Sequence, residues 1–559
     1  MKKTIHVFSF VAIMLLAVIL TACSSDDNKT ADGSQNSDES TSSTPKVLNF
    51  ASANDLPTLN SLEARDTASN IALSHLMSGL MRMNENNEPV PELIEGMPEI
   101  SDDKLVYTFK ILKDAVWSDD TPVTANDFEF SWKKMVDPEI AAVYSYIFPA
   151  AGIKNAEAIL DPEHELFGKY EELGVKALDE KTLEVTLDVA TPYFLSMLRF
   201  TPFMPINEDY YNAQGESYAQ ETDNLIYNGP YTMTKWIRGD GWTFTKNPKY
   251  WDADNVTIDE ANFKVVKELT TQINLYQQGK LDVVDGLSSE FVTQYSGQED
   301  FNTSLQSRVS YLMLNTKKVE AFGNKNIRVA MLNSFDREEL VSKVLNNGSI
   351  AAQYFVAKDF VQDADGKDFR NKSPEGYNHK SPEEALELWE KGLQELGTDT
   401  VSIELLVSGT DQSSSNLAEY VKKQLETKLP GMKITINKQP NSNYLSLRRE
   451  RNYDMSISGW GPDYQDPMTY LDKWTDIAGN YTDWINEDYI SLIDQAKLAG
   501  DDPKKRFDLF HQAEKMLLEE APILPLWQAG DAYLQKPNVK GIERPSFGTK
   551  IVWMYADIE

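Results

Sequence analysis

Gly459-Trp460-Gly461-Pro462-Asp463-Tyr464-Gln465-Asp466-Pro467 sets two glycines, two prolines and two aromatic rings within nine residues, a mixture that fits neither a plain helix nor a plain strand. The glycines flanking Trp460 leave the backbone open to close approach, so the indole can form a pocket wall as well as core. Read alone, Asp463 is a loop carboxylate that starts a turn before Pro467. Two further stretches share the composition. One is Phe109-Lys110-Ile111-Leu112-Lys113-Asp114 followed by Val116-Trp117-Ser118-Asp119-Asp120-Thr121-Pro122-Val123-Thr124-Ala125-Asn126-Asp127-Phe128. The other is Asn228-Gly229-Pro230-Tyr231, then Trp236, then Asn247-Pro248-Lys249-Tyr250-Trp251-Asp252.

Regular elements surround these stretches. Leu105, Tyr107, Phe109 and Ile111 alternate with polar or smaller residues, as do Leu183, Val185, Leu187 and Val189, which predicts two strands with one buried face each. Ser381-Pro382-Glu383-Glu384 is a capping box with proline at the first helical position; Leu386, Trp389, Leu393 and Leu396 follow at helical spacing, and Gly397 stops the helix. A strand at 401–407, a helix near 417–428 and a strand at 432–436 come next. Helices alternating with strands indicate an α/β layer in this half.

The N-terminus carries an address. Lys2-Lys3, an apolar run from Val11 to Leu20 and small residues before Cys23 form a secretory signal, too short for a stable membrane span. Leu20-Thr21-Ala22-Cys23 resembles the bacterial lipoprotein box, which implies cleavage after residue 22, a lipid anchor on Cys23 and a place on the outer face of the bacterial cell membrane. Cys23 is the only cysteine and cannot form an internal disulfide. Ser24 to Pro45 has no aromatic and no aliphatic larger than alanine, the composition of a flexible tether. Beyond it the chain is long enough for at least two cores. The net charge of -33 argues against nucleic acid, whose binding needs clustered positive charge; spread along the chain, it reads as a solvated surface.

Catalytic constellations are missing from the pattern. His6, His75, His164, His379 and His511 are scattered without metal-ligand spacing, and no nucleophile elbow, P-loop or dinucleotide fingerprint occurs. His75, beside Leu76 and Met77, reads as a packing histidine. No metal, cofactor or catalytic residue is expected.

The three quoted stretches together resemble signatures of the oligopeptide- and dipeptide-binding proteins of ABC importers, in family order. The first is similar to L-R-x-x-V-x-F-x-D-G-x-P-x-T-A-x-D-V, with Asp120 where the family has a turn glycine; the second to N-G-x-Y…W…N-P-x-Y-W-D; the third to W-x-x-D-Y-x-D-P. The resemblance implies a two-lobed α/β fold of the periplasmic-binding-protein type, of the large class with an extra domain in the first lobe. Transferred here, 1–22 is the signal and 23–45 the lipidated cysteine and tether. Lobe one comprises 46–81, 205–267 and 528–559, with the extra domain at 82–204, and lobe two covers 268–527. A monomer is expected that captures oligopeptides between its lobes and delivers them to the membrane subunits of an ABC permease. The resemblance assigns Asp463 to the ligand's free α-ammonium, with Gly459, Trp460 and Gly461 beside it. Asn228, Gly229 and Tyr231 are weaker transfers. Ser69 and Asn70 correspond either to a ligand-pairing strand or to the cap of a helix starting at Ile71. Tyr144 lines the cleft or packs in the core, and Tyr250 and Trp251 support the fold. The same fold also admits a pheromone receptor used for signalling, or a receptor for a non-peptide solute.

Overall fold

The computed structural model describes residues 44–84, 87–409, 411–476 and 479–559. The signal, Cys23 and nearly all of the tether lie outside them. Among the described residues, no helix is long and apolar enough to cross a membrane.

Three main sheets organise the two lobes of this α/β fold. In the first, Val47–Ser52 pairs in parallel with Glu260–Val265, and Gly241–Lys246 and Tyr231–Ile237 continue antiparallel. The second belongs to the 82–204 region: Glu99–Ile100, Val106–Lys110, Thr182–Thr186 and Val175–Asp179 lie side by side. Tyr107, Phe109, Leu183 and Val185 are its buried residues, as alternation dictates. The third sheet has seven strands, ordered Val283–Val284, Ile523–Gln535, Phe301–Leu314, Met455–Trp460, Val401–Ser408, Met432–Gln439, with Ile350–Ala351 on the flank of Ile523–Gln535.

The expected helix at Ser381 forms over Pro382–Leu396 with a complete capping box and Gly397 at φ +67. Ile523–Gln535 is one unbroken strand, so the lobe boundary expected at 527/528 falls inside it. Burial on both faces from Ile523 to Gln528 removes the polar punctuation that would mark a boundary, and register shifts against Phe301–Leu314 accommodate the strand's length.

The first two quoted stretches serve the fold. Trp117 is buried and donates its indole N–H to Asp127 Oδ2 at 3.0 Å, while Asp127 and Thr124 cap the helix Ala125–Met135. Asp120 takes the left-handed turn position at φ +74, a conformation aspartate tolerates, and pairs with Lys249 at 2.7 Å. Asn228 is buried: its Oδ1 accepts the Ser78 N–H at 3.0 Å and its Nδ2 donates to Ser78 O at 3.1 Å. Gly229 donates to Leu76 O at 3.0 Å, so close that a Cβ would lie 2.6 Å from the Leu76 carbonyl carbon. Tyr231 is fully buried beside His75, which stacks on Trp553 with centroids 3.4 Å apart. The transfer of Asn228, Gly229 and Tyr231 to the ligand site is therefore corrected: they clamp the helix Thr67–Leu76 onto its sheet.

A further correction concerns Ser69. Helix Thr67–Leu76 starts four residues before Ile71, capped by Asp66, whose Oδ1 accepts the Ser69 N–H at 2.9 Å. Ser69 is thus a buried residue of the first helical turn, not part of a ligand-pairing strand.

The Asp463 segment is pinned from several sides. Arg506 grips Asp466 with both terminal nitrogens, Nη2 to Oδ1 at 2.8 Å, and both residues are buried. Tyr464 stacks on Tyr193 of the 82–204 region with centroids 4.4 Å apart. Trp460 donates its indole N–H to Thr469 O at 2.7 Å. Asp466→Ala strands a buried guanidinium and is expected to cost about 3–5 kcal/mol, seen as a lowered Tm in scanning calorimetry. Asp463→Ala removes no ion pair and should leave Tm within about a degree of the parent.

Candidate functional site

The strand Met455–Trp460 positions the site. On one side it pairs with Phe301–Leu314 as far as Val309↔Trp460. On the other, parallel pairing with Val401–Ser408 ends at Leu406↔Ser456. Beyond Ser456 the strand therefore has a neighbouring strand on one edge only, and Gly459, Trp460 and Gly461 border a cavity of about 520 Å³. Its volume falls in the range of small-molecule clefts. From the N-terminal part of the chain come Asp66, Asn70, Tyr144, Tyr146 and Phe200, and from the C-terminal segment Ser546, Phe547 and Gly548.

Asp463 lies in this cavity, half-buried. It accepts a hydrogen bond from the Tyr146 hydroxyl at 3.1 Å, across 317 residues of sequence. Its own N–H donates to Thr469 Oγ1 at 3.2 Å. Burial pushes its pKa up to about 6, against the opposing pull of the Tyr146 hydrogen bond and the Lys473 charge. The cavity mouth wets the side chain while surrounding protein still desolvates the carboxylate. No salt bridge within 4.0 Å engages it among the described residues. Lys473 sits instead over the Trp460 ring, 4.3 Å from its centroid, and burial lowers its pKa to about 8. Asp472, behind Tyr464, is also pushed up to about 6 by burial.

The cavity thus brings together six of the residues singled out in the sequence: Gly459, Trp460, Gly461, Asp463, Asn70 and Tyr144. Asn70 accepts from the Thr201 hydroxyl at 2.7 Å, and Tyr144 meets Phe200 edge-on at 4.8 Å. Ser69, Asn228, Gly229 and Tyr231 do not line it. Tyr146 and Arg308 were missed. Tyr146 stands two residues beyond Tyr144 in Val143-Tyr144-Ser145-Tyr146, whereas nothing local distinguishes Arg308 from any polar strand residue.

A second cavity, of about 420 Å³, adjoins across Pro545, Ser546 and Thr549, which line both. Five methionines wall it, Met77, Met81, Met83, Met204 and Met554. It lacks the free strand edge, and Glu92, its buried carboxylate, accepts from Ser78 and Tyr250 and pairs with Arg82 at 3.1 Å. Among the described residues, no group of three or more histidine, cysteine or acidic side chains could hold a metal.

Two α/β lobes around a cavity bordered by a strand edge have the form of a bilobed solute-binding protein. The family description Bacterial extracellular solute-binding proteins, family 5 Middle, matches residues 88–482, and the chain belongs to this family. It is 32% identical to the dipeptide-binding protein DppE of Bacillus subtilis (strain 168), over 98% of each chain. The structure of Listeria monocytogenes OppA bound to peptide aligns with a TM-score of 0.78 at 35% identity, covering 92% of this chain and 99% of the other. The pheromone receptor PrgZ, described with its mode of peptide binding, aligns with a TM-score of 0.79 at 32% identity, covering 92% and 100%.

Proposed function

We propose that the chain is an extracellular receptor that captures oligopeptides in the cavity between its lobes, holds their free α-ammonium on Asp463 and passes them to an ABC permease. It acts as a monomer tethered by lipid on Cys23. The observation that carries the reading is the strand edge beyond Ser456 leading, through Gly459 to Gly461, to a carboxylate with no cation in salt-bridge contact. An extended peptide adds to such an edge through main-chain hydrogen bonds that ignore its side chains, and a charge at one end sets its register. The relatives described as dipeptide-binding or bound to peptide support the ligand class.

The alternative of a receptor used mainly for signalling draws support from the likeness to the pheromone receptor PrgZ. The two readings differ downstream of binding. Loss of growth on peptides as the amino-acid source in a deletion strain marks uptake, and loss of a transcriptional response with growth intact marks signalling.

Mass spectrometry of ligand released from the denatured protein should recover peptides; recovery of sugars or metal chelates would overturn the ligand class. In calorimetry, N-acetylation of a bound peptide should weaken affinity at least tenfold, and equal affinity for both forms removes the role of Asp463. The pH dependence carries the same signature. A bound ammonium stabilises ionised Asp463 and lowers its pKa from about 6, so binding releases a proton once the free protein is protonated there. Affinity should therefore fall about tenfold between pH 7 and pH 5. Asp463→Asn should bind weakly with a flattened profile. For the anchor, Cys23→Ser should shift the protein from the membrane fraction to the medium, read by immunoblot.

A further inference from the structure

We propose that the methionine-walled cavity is a second binding site, for a free amphipathic carboxylic acid whose head pairs with Arg199 and whose hydrocarbon body lies among the methionines. Arg199 lines this cavity together with Met77, Met81, Met83, Met204 and Met554. At about 420 Å³ it is within the range of small-molecule clefts. Four of the methionines are buried in the fold and Met83 is half-buried. Thioether side chains are apolar, unbranched and adaptable, so such a wall accepts an aliphatic body of no fixed shape. A hydrocarbon acid carries a single polar group, which one uncommitted cation satisfies. A peptide would bury further amides among the thioethers, at about 1–3 kcal/mol for each left without a partner.

The cavity holds three arginines, and two of them are answered within the protein. Arg82 pairs with Glu92 at 3.1 Å, and Arg544 with Asp285 at 2.7 Å. Arg199 has no ion pair among the described residues: its Nη2 donates to Phe547 O at 2.9 Å, and the guanidinium lies 4.7 Å from the Phe547 ring centroid. One carbonyl leaves most of the five N–H donors of a guanidinium for a pair of ligand oxygens. Asp359, which is exposed, and Glu543 also line the cavity, yet neither acts on Arg199, whose pKa burial alone pushes down to about 10. Acidic residues outnumber lysine and arginine 87 to 54, so a desolvated guanidinium without a carboxylate is out of pattern in this chain. An incoming carboxylate supplies the missing anion to a cation whose desolvation is already complete.

The backbone is shaped around this side chain. Gly548 takes the left-handed conformation at φ +77, and a Cβ there would lie 2.1 Å from Arg199 Nη2, so any side chain at 548 would displace the guanidinium. Phe547 and Gly548 line the Asp463 cavity, whereas Arg199 lines the methionine cavity and not that one. The cation is thus held at the partition and belongs to the second cavity.

The test is calorimetry on the full chain carrying Cys23→Ser, with octanoate, octanol and acetate as probes. Octanoate should bind, and octanol, which lacks the charge, and acetate, which lacks the chain, should each bind at least tenfold more weakly. Arg199→Gln should weaken octanoate at least tenfold and leave octanol within twofold, and Arg199→Lys should retain part of the difference. Arg308→Gln, which removes a cation of the Asp463 cavity, should leave octanoate within twofold. Met83→Glu, which sets a like charge on the half-buried part of the wall, should weaken octanoate at least tenfold with Arg199 in place, and it decides the matter where a lowered Tm marks Arg199→Gln as misfolded. Octanoate affinity unchanged in folded Arg199→Gln or in Met83→Glu, equal affinity for octanoate and octanol, loss of binding in Arg308→Gln instead, or no binding of octanoate at all overturns the site. No probe carries an ammonium, so each outcome is independent of the role given to Asp463.

Discussion

The buried grip of Arg506 on Asp466 fixes the segment on which everything at the site depends. Taking two charges out of water is costly, and the fork-to-fork geometry recovers that cost only when both side chains are held in register by packing. Tyr464 on Tyr193 and the Trp460 indole on Thr469 O supply that packing on either side. Between these anchors the backbone has no choice about where Asp463 points. Its carboxylate is presented to the cavity before any ligand arrives, so no ordering entropy is left to be spent on it at binding.

The electrostatics of Asp463 are balanced between two useless extremes. A fully exposed carboxylate would contribute little to holding an ammonium, since surface pairs are worth about 0–1 kcal/mol. One paired with a resident lysine would have nothing to gain from a ligand. Burial pushes the pKa up to about 6, while the Tyr146 hydroxyl and the more distant Lys473 restrain the shift. Lys473 is occupied above the Trp460 ring and is itself driven down to about 8. The group is therefore ionised near neutral pH yet lacks a strong partner, which is the state in which a ligand cation adds most.

Elements whose cause is local could be read directly. The helix Pro382–Leu396 follows from Ser381, Glu384 and Gly397 alone, and the strand faces of Tyr107, Phe109, Leu183 and Val185 from alternation. Functional residues were harder, because a motif does not say whether it serves fold or ligand. Asn228 and Gly229 sit in a block as distinctive as that of Asp463, but their partners, Ser78 and Leu76, lie about 150 residues away and make them a clamp. Ser69 was misplaced by a local ambiguity: Asp66 caps the helix at Thr67, a start that apolar periodicity from Ile71 onward conceals. Tyr146 and Arg308 have meaning only through the folded cavity; along the chain they are a tyrosine in an aromatic run and a polar strand residue.

Breadth and selectivity can coexist in this cavity because they are assigned to different groups. A peptide paired through its main chain along the edge past Ser456, as proposed, gains affinity that is indifferent to its side chains and so does not choose a sequence. Gly459 and Gly461 add no side chain to the wall there, and the space over Gly459 is taken by the Arg308 guanidinium. Choice is left to charge at fixed points and to the volume between them. On the proposed reading, selection by the free amino end follows from Asp463, a carboxylate at the cavity with no cation in salt-bridge contact among the described residues. On that reading a chain without a free ammonium leaves the desolvated Asp463 carboxylate unanswered, a larger penalty than any single side chain imposes in a hydrated pocket.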